Sequence, residues 1–370
     1  MLLSDVSPAM SDEEAYYRDL LLFLNYTDDT TDSTNVVSGP AKLCSKFSVN
    51  EFGAKFIPVF YYVNFLLSYL GNGLVLFIIY KFEKLNTVTN IFLLNLVLSN
   101  ILFASSLPFW ATYHLSEWIF GSVMCKLVSS AYFIGFYSSI LFLTLMTFDR
   151  YLAVVHAVTA ARSRKKGYAI VASVVVWCVS VVASVKELIF QNVWKAPYTG
   201  WVCEESGYSK STLQHWRLVS YYQQFLLFFL LPLFMVMYCY ISITVRIMST
   251  RMKEKCRSIK LIFVIIFTFF ACWTPYNIVI LLRAMQSSRT EDTPCEDLDP
   301  LDFALYVSRN VAYLYCCISP VFYTFVGKKF QSHFMRLVAK KIPCLKKHIS
   351  VSSQSTRTTS QKTPISLYEN

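Results

Sequence analysis

Residues 127–148 read LVSSAYFIGFYSSILFLTLMTF, and the three that follow are Asp149, Arg150 and Tyr151. The run carries no charged side chain and is long enough, at about 1.5 Å rise per residue, to take a helix across about 30 Å of hydrocarbon. Six more runs are comparably long and apolar, one of them holding a single arginine: Phe56 to Tyr80, Ile91 to Tyr113, Tyr168 to Val185, Leu218 to Val245, Leu261 to Leu282 and Phe303 to Val326. Water is absent from the bilayer core, so every backbone N–H and C=O there must be satisfied internally. Only helices and closed barrels do this. Short segments of alternating hydrophobicity, the mark of a membrane barrel, do not occur. The predicted fold class is therefore an all-α membrane protein, a seven-transmembrane helix bundle over residues 56–326.

Composition agrees. Of 370 residues, 55% are hydrophobic and only 15% charged, which leaves too little polar surface for an ordinary soluble chain. The formal net charge of +11 is unevenly placed. Lysines and arginines crowd the segments after the first, third, fifth and seventh runs, including Lys81, Arg162, Lys165, Arg251, Lys255, Lys260 and Lys328. The positive-inside bias puts these segments in the cytosol. The opposite side is acidic: Asp5, Asp12, Glu13, Glu14, Asp19, Asp28, Asp29 and Asp32 precede the first run, and Glu291, Asp292, Glu296 and Asp297 precede the seventh. Residues 1–55 are thus expected to form an extracellular acidic segment, in a multi-pass plasma-membrane protein. The basic residues flank membrane helices, where anionic lipid headgroups can pair with them, so a nucleic-acid partner is disfavoured. Residues 1–10 contain Asp5 and no basic stretch before an apolar run, so the first span is expected to serve as its own insertion signal. The sequon Asn25-Tyr26-Thr27 marks Asn25 as a glycosylation candidate.

Four of the eleven cysteines, Cys44, Cys125, Cys203 and Cys295, fall on the expected outer, oxidising side. Four cysteines allow three pairings. A Cys125–Cys203 bridge would pin the loop after the fourth span over the mouth of the bundle, and Cys44–Cys295 would then tie the head to the last outer loop.

Ionisable residues within spans discriminate among functions, because each is costly in hydrocarbon. Asp149 and Arg150 stand at the inner end of the third run, Lys186 and Glu187 at the outer end of the fourth, and Arg309 in the outer half of the seventh. No chain of carboxylates offers a path for protons or sodium, which argues against a transporter. No lysine lies between Phe303 and Val326 to form a retinal Schiff base. The five histidines show neither metal-ligand nor triad spacing and no phosphate-cradling glycine loop exists, so neither an enzyme nor a cofactor is expected.

The stretch from Asp149-Arg150-Tyr151 through Val158 resembles the Asp-Arg-Tyr signature of rhodopsin-like G-protein-coupled receptors, in its longer chemokine-receptor form. Gly71-Asn72, Trp177, Pro232, Tyr240, Cys272-Trp273-Thr274-Pro275-Tyr276 and Pro320-Val321-Phe322-Tyr323 fall in the matching spans and order. Ser106-Leu107-Pro108 resembles the Thr-X-Pro element of chemokine receptors, and Trp118-Ile119-Phe120-Gly121 resembles their first outer loop. The two-bridge arrangement is theirs as well. The resemblance covers residues 56 to about 341.

It implies a division of labour. Asp149, Arg150, Tyr151, Tyr240, Trp273, Pro275, Pro320 and Tyr323 would form the activation switch and the docking groove for a heterotrimeric G protein of the inhibitory class, with prolines permitting helix kinks. Lys255 stands where some relatives carry an acid that locks Arg150, so the locked state would lean on Asp149. Tyr61, Trp110, Tyr132 and Tyr276 fall at positions lining the minor ligand pocket of chemokine receptors. The acidic head would steer a basic chemokine, and Tyr16 and Tyr17, beside Asp12, Glu13 and Glu14, sit in a context that favours sulfation. Arg309 replaces the glutamate common there; Arg309-Asn310 resembles the XC, or lymphotactin, receptor type. Asn100 and Ser319 replace an aspartate and an asparagine that serve a sodium ion in most relatives.

In residues 327–370, Phe330, Phe334, Leu337 and Val338 recur at helical spacing among lysines, predicting a short amphipathic eighth helix on membrane lipids. Cys344 beyond it is a palmitoylation candidate. A hydroxyl-rich tail follows, suited to receptor kinases and arrestin. The expected function is a chemokine receptor that signals through G protein to raise calcium and drive chemotaxis. The alternatives are a scavenging or decoy receptor acting through arrestin, and, from another class, a transporter. The topology is open to a direct check: an epitope tag at residue 1 is expected to be labelled on intact cells, and labelling only after permeabilisation would overturn the orientation.

Overall fold

The structure is a computed structural model, and it describes residues 47–83, 85, 87–158, 160, 166–196, 200–250, 256–287 and 298–326. Tyr16, Tyr17, Asn25, Cys44, Cys295, Cys344 and the expected eighth helix lie outside these residues. Seven helical spans follow in order. The first is Phe47–Phe82, the second Val88–Leu115, the third Gly121–Val155, and the fourth Lys166–Ala183 with a short continuation at Val185–Phe190. The fifth joins Lys210–Phe225, a π-helical turn Leu226–Leu230 and Leu231–Thr250; the sixth is Cys256–Ser287 and the seventh Leu298–Val326. The first six contain stretches long and apolar enough to cross a membrane, and the seventh packs between the sixth and the first.

Every helix runs beyond its apolar core. The first starts at Phe47 rather than Phe56, and the third continues to Val155 past the charged Asp149-Arg150 pair. Hydropathy marks only the part in hydrocarbon, whereas backbone hydrogen bonding continues until a cap or a turn ends it. Thr87 caps the second span, its hydroxyl accepting from the Asn90 N–H at 3.2 Å, and Ser209 caps the fifth by accepting from Thr212 N–H at 3.2 Å. Pro232 would leave the Phe228 carbonyl without its usual donor. The π turn just before it, closed by Leu231 N–H on the Leu226 carbonyl, widens the helix there.

Outward faces are apolar, as at Leu70, Val182, Leu231 and Phe234, all more than half exposed in the isolated chain. Inward faces carry small and polar residues whose partners lie on neighbouring spans. Trp177 Nε1 donates to Asn95 Oδ1 at 2.9 Å, and Asn95 Nδ2 to Ser173 Oγ at 3.2 Å, fastening the second span to the fourth. Ser138 Oγ donates to Ser99 Oγ at 2.8 Å, fastening the third to the second. Such bonds hold where the alternative is an unsatisfied group in lipid. Gly135 lets these same two helices touch: a Cβ there would stand 2.7 Å from the Phe103 backbone nitrogen.

One end of the bundle is closed by an antiparallel hairpin, β1 (Gln191–Ala196) with β2 (Gly200–Glu205), in which Val193 faces Cys203. Cys203 is disulfide-bonded to Cys125 at the start of the third span, one of the pairings open from the sequence. The Trp118-Ile119-Phe120-Gly121 turn buries Trp118 against that bridge, with Nε1 donating to the Gly121 carbonyl at 2.9 Å. Trp118 N–H donates to the Trp201 carbonyl and Trp201 N–H to Glu117 Oε2, each at 2.7 Å. Lys186 and Glu187, left without a role by the sequence, belong here: Lys186 Nζ lies 2.5 Å from Glu205 Oε1 and 3.4 Å from Glu187 Oε1, while Arg217 Nε meets Glu205 Oε2 at 3.0 Å. These pairs join the fourth span, the hairpin and the fifth span.

Gly200 has φ +74°, and a Cβ would fall 2.1 Å from Glu117 Oε2. Gly200→Ala is therefore expected to lower stability by about 1–2 kcal/mol from the left-handed backbone alone, with the displaced Glu117 adding to it. Gly135→Ala should do the same by parting the second and third spans. Thermal unfolding of the detergent-solubilised protein measures both, and unchanged melting midpoints would contradict the packing.

Candidate functional site

Near the hairpin end the bundle holds a cavity of about 170 Å³, lined by Tyr61, Trp110, His114, Tyr132, Phe133, Tyr276, Arg309 and Tyr313. The first, second, third, sixth and seventh spans converge on it. Trp110 and His114 share a face of the second span, and Arg309 and Tyr313 share one of the seventh. The structure thus brings together Tyr61, Trp110, Tyr132, Tyr276 and Arg309. His114, Phe133 and Tyr313 were missed by the sequence reading. For His114 and Tyr313 the signal was available, since each stands four residues after a chosen residue.

The walls are knit by ring contacts and hydroxyls. Tyr61 packs on Tyr313 at 5.4 Å between ring centroids and Tyr132 on Tyr313 at 5.8 Å. Tyr132 is hydrogen-bonded to both Tyr276 and Tyr313. Below them Phe103 touches Tyr132 at 5.0 Å, Tyr313 at 5.1 Å and Trp273 at 6.2 Å. Trp273 is stacked on Phe136 at 4.1 Å and meets Tyr276 at 5.9 Å. An unbroken aromatic column therefore leads from the cavity to the tryptophan two residues before Pro275, each contact worth about 0.5–1.5 kcal/mol beyond area burial. The Pro275 helix is held locally by Asn277 Nδ2 donating to the Trp273 carbonyl at 2.9 Å and by Thr274 Oγ1 donating to the Phe270 carbonyl at 2.6 Å.

Under Trp273 lies a second, smaller cavity of about 10 Å³, lined by Asn100, Ser139, Phe136 and Cys316 among others. It is room for about one water molecule. Beside it is a buried neutral network. Asn100 Nδ2 reaches Asn72 Oδ1 at 3.3 Å and Ser319 Oγ at 3.1 Å, and Ser139 Oγ donates to Asn100 Oδ1 at 3.1 Å. Asn72 Nδ2 donates to the carbonyls of Ser68, at 2.9 Å, and Cys316, at 3.1 Å. One amide thus ties the first, second, third and seventh spans. Ser319 precedes Pro320, whose ring abuts Gly71: a Cβ on Gly71 would lie 3.0 Å from it.

At the far end, Asp149 is buried and Arg150 donates to Thr89 Oγ1, while the Thr89 hydroxyl donates to Asp149 Oδ2 at 3.3 Å. Thr89 of the second span thus stands between Arg150 and Asp149. Nothing in the sequence singled it out, because the pairing joins residues 61 positions apart. Tyr151 shares a hydrogen bond with His156 at 3.0 Å and packs with Val154, Cys239 and Ile243. Tyr240 meets Phe263 of the sixth span edge to face at 5.2 Å. Tyr323 lies in the final stretch of the seventh helix, where the backbone alone is described, and Lys255 lies outside the described residues.

Residues 71–323 match the family model of the 7 transmembrane receptor, rhodopsin family. The chain is 37% identical over 303 residues to the C-C chemokine receptor type 3 of Cavia porcellus, covering 82% of this chain and 84% of that one. It is 36% identical over 320 residues to the C-C chemokine receptor type 1 of Homo sapiens, covering 86% and 89%. The chain belongs to the chemokine-receptor family of rhodopsin-like receptors. A probable C-C chemokine receptor type 3 of Mus musculus is similar too, 38% identical over 291 residues, or 78% of this chain and 80% of that one.

Members of this family are receptors and not enzymes, and the seven-span fold is that of the family. The finer XC resemblance gains no support from these relatives, which carry the C-C designation. Arg309-Asn310 is a local feature, whereas the identity with these relatives runs along most of the chain.

The network around Asn100 has a measurable consequence. Asn72, Asn100, Ser139 and Ser319 already satisfy one another, and none supplies the carboxylate that a hard cation wants. Agonist affinity in this receptor is expected to be the same in sodium as in potassium at constant ionic strength. Asn100→Asp should introduce a several-fold dependence on sodium. A sodium-specific loss of affinity in the unaltered chain would refute this reading.

Proposed function

We propose that the chain is a plasma-membrane chemokine receptor, with its amino-terminal segment outside the cell, that passes ligand binding to a heterotrimeric G protein of the inhibitory class. The observation that carries the reading is identity of 36–38% with C-C chemokine receptors along most of both chains. The aromatic cavity supplies a place for the flexible end of a protein ligand at the hairpin end. The acidic head, by its charge, favours a basic partner through long-range steering.

The column from Tyr132 and Tyr313 through Phe103 to Trp273 gives pressure in the cavity a path to the Pro275 helix. Tilting of that helix would part Phe263 from Tyr240 and free Arg150 from Thr89 and Asp149. The cleft so opened would admit a helix of the G protein. Downstream, calcium release and chemotaxis would follow from inhibitory-class coupling, and the hydroxyl-rich tail would serve kinases and arrestin. Tyr16 and Tyr17 as sulfation sites, Asn25 as a glycan site, Cys44–Cys295 as a second bridge and Cys344 as a lipid anchor belong to the same reading.

A second reading is a scavenging receptor that internalises chemokine through arrestin. The neutral Asn100 and Ser319 favour it, because a switch linked by self-satisfied amides and hydroxyls carries no charge to redistribute on activation. A panel of chemokines applied to cells expressing the full chain separates the two when calcium, cyclic AMP and arrestin recruitment are all recorded. The expected result is a calcium rise with a fall in cyclic AMP; arrestin recruitment alone would establish the scavenger. Arg150→Ala should cut the G-protein responses by about tenfold or more while leaving chemokine binding intact, as loss of one charged contact implies.

A further inference from the structure

Arg309 is the only residue with a permanent charge among those lining the cavity. Among the described residues its Nε is enclosed without an acceptor. Around it stand hydroxyls and rings rather than carboxylates: Tyr61 accepts a hydrogen bond from it, Tyr132, Tyr276 and Tyr313 lie within its field, and the Tyr306 ring lies 5.2 Å from the guanidinium carbon. Among the described residues, three acids at this end of the bundle are engaged elsewhere. Asp302 pairs with Arg283, Glu187 with Lys186 and Gln191, and Glu205 with Lys186 and Arg217.

A guanidinium cannot shed its charge in a protein, so it must either be paired or remain a cost. Ring faces and phenol oxygens repay part of that cost by cation–π attraction and hydrogen bonding. Neither neutralises it, and the remaining donors of a planar fork suit a carboxylate best. The cavity's size narrows the guest. At about 170 Å³ the cavity has room for an aspartate or glutamate side chain and is short of the usual drug-sized pocket.

Resting on the receptor reading above, we infer that this cavity is an anion subsite: it takes the carboxylate of an acidic side chain carried on the flexible end of a basic protein ligand, with Arg309 as its counter-charge and the tyrosine hydroxyls as additional donors. Charge on the rest of the chain explains why the carboxylate arrives tethered. The residues before the first span are rich in Asp and Glu and repel free anions, whereas a cationic ligand body is attracted and delivers its acidic end to the cavity. A small free carboxylic acid has the same chemistry and is the other source to be tested.

Two arms decide it. In the first, the full-length protein in lipid nanodiscs is melted in the presence of N-acetyl-glutamic acid methylamide or its uncharged isostere N-acetyl-glutamine methylamide, at equal ionic strength. The acid is expected to raise the melting midpoint and the amide to leave it unchanged. Arg309→Lys should keep part of the shift and Arg309→Gln none. Arg309→Gln without additive should melt no lower than the unaltered protein, since it removes an uncompensated charge; this shows that the variant is folded.

In the second arm, a chemokine that binds in the panel above has each acidic residue of its flexible end changed to the matching amide. One such change is expected to weaken binding to the unaltered receptor about tenfold or more and to have no effect on Arg309→Gln. Changing that same acid to lysine should restore binding to Arg309→Glu. A shift in the first arm alone assigns the site to a small free acid, and coupling in the second alone assigns it to the tethered side chain. If neither arm distinguishes acid from amide, or if both still do so in Arg309→Gln, the inference is overturned. Should no chemokine in the panel bind, the receptor reading fails and the first arm alone decides the anion site.

Discussion

In hydrocarbon there is no water to accept what the protein leaves unpaired, and that single constraint orders this molecule at every scale. It makes each span a helix that satisfies its own backbone. It then obliges every polar side chain placed in the bundle to face a neighbour, and so converts polar residues into the fasteners between spans. Asn95 holds the second and fourth spans through Trp177 and Ser173, and Asn100 holds the second to the first, third and seventh. Each bond is worth about 0.6–2 kcal/mol on average in such bundles. Their greater effect is on register, since an amide has a partner in one arrangement and loses it when a helix slides by a turn.

The same constraint explains why the residues that read as a signal mechanism are those that break the helical pattern. A proline withholds a donor, and the structure must answer locally. At Pro232 the answer is a π turn, with Tyr137 stacked on Phe228 of that turn at 3.8 Å. At Pro275 hydroxyl and amide side chains of Thr274 and Asn277 return bonds to the backbone one turn back. At Pro320 the ring sits against Gly71, where the absence of a side chain admits it. These are places where the backbone is already released from strict i to i−4 bonding, so bending there disturbs fewer bonds than elsewhere.

The spans were legible in the sequence because apolar length is a one-dimensional property, and so were the ends that carry charge. Tyr61, Trp110, Tyr132, Tyr276 and Arg309 were legible as a set through family resemblance, and helical periodicity extends the set to His114 and Tyr313. What could not be read were pairings across distance. Thr89 looks like any threonine near a helix start until the third span lays Arg150 and Asp149 against it. Lys186 and Glu187 stood in the sequence only as two charges at the outer end of the fourth run, and the hairpin, bringing Glu205 alongside, gives Lys186 its partner. The π turn is invisible to hydropathy, which scores composition and not hydrogen-bond spacing.

If the cavity takes a carboxylate as inferred above, charge would act on a ligand in two layers of opposite sign and different range, the acidic residues before the first span and Arg309. Acidic residues of the head act over about 8 Å of screened solution and beyond it only weakly, so they govern encounter and not fit. Arg309 acts from within the bundle, where screening is smaller than in open solution and a contact of a few ångströms decides the energy. A ligand matched to the first layer alone would arrive and fail to seat, and one matched to the second alone would be repelled on approach. Under that inference recognition would select a molecule that carries both signs in a fixed order, cationic in its body and anionic at the end that enters. This demands more than either layer alone, because meeting it requires the two charges to be connected at the correct separation.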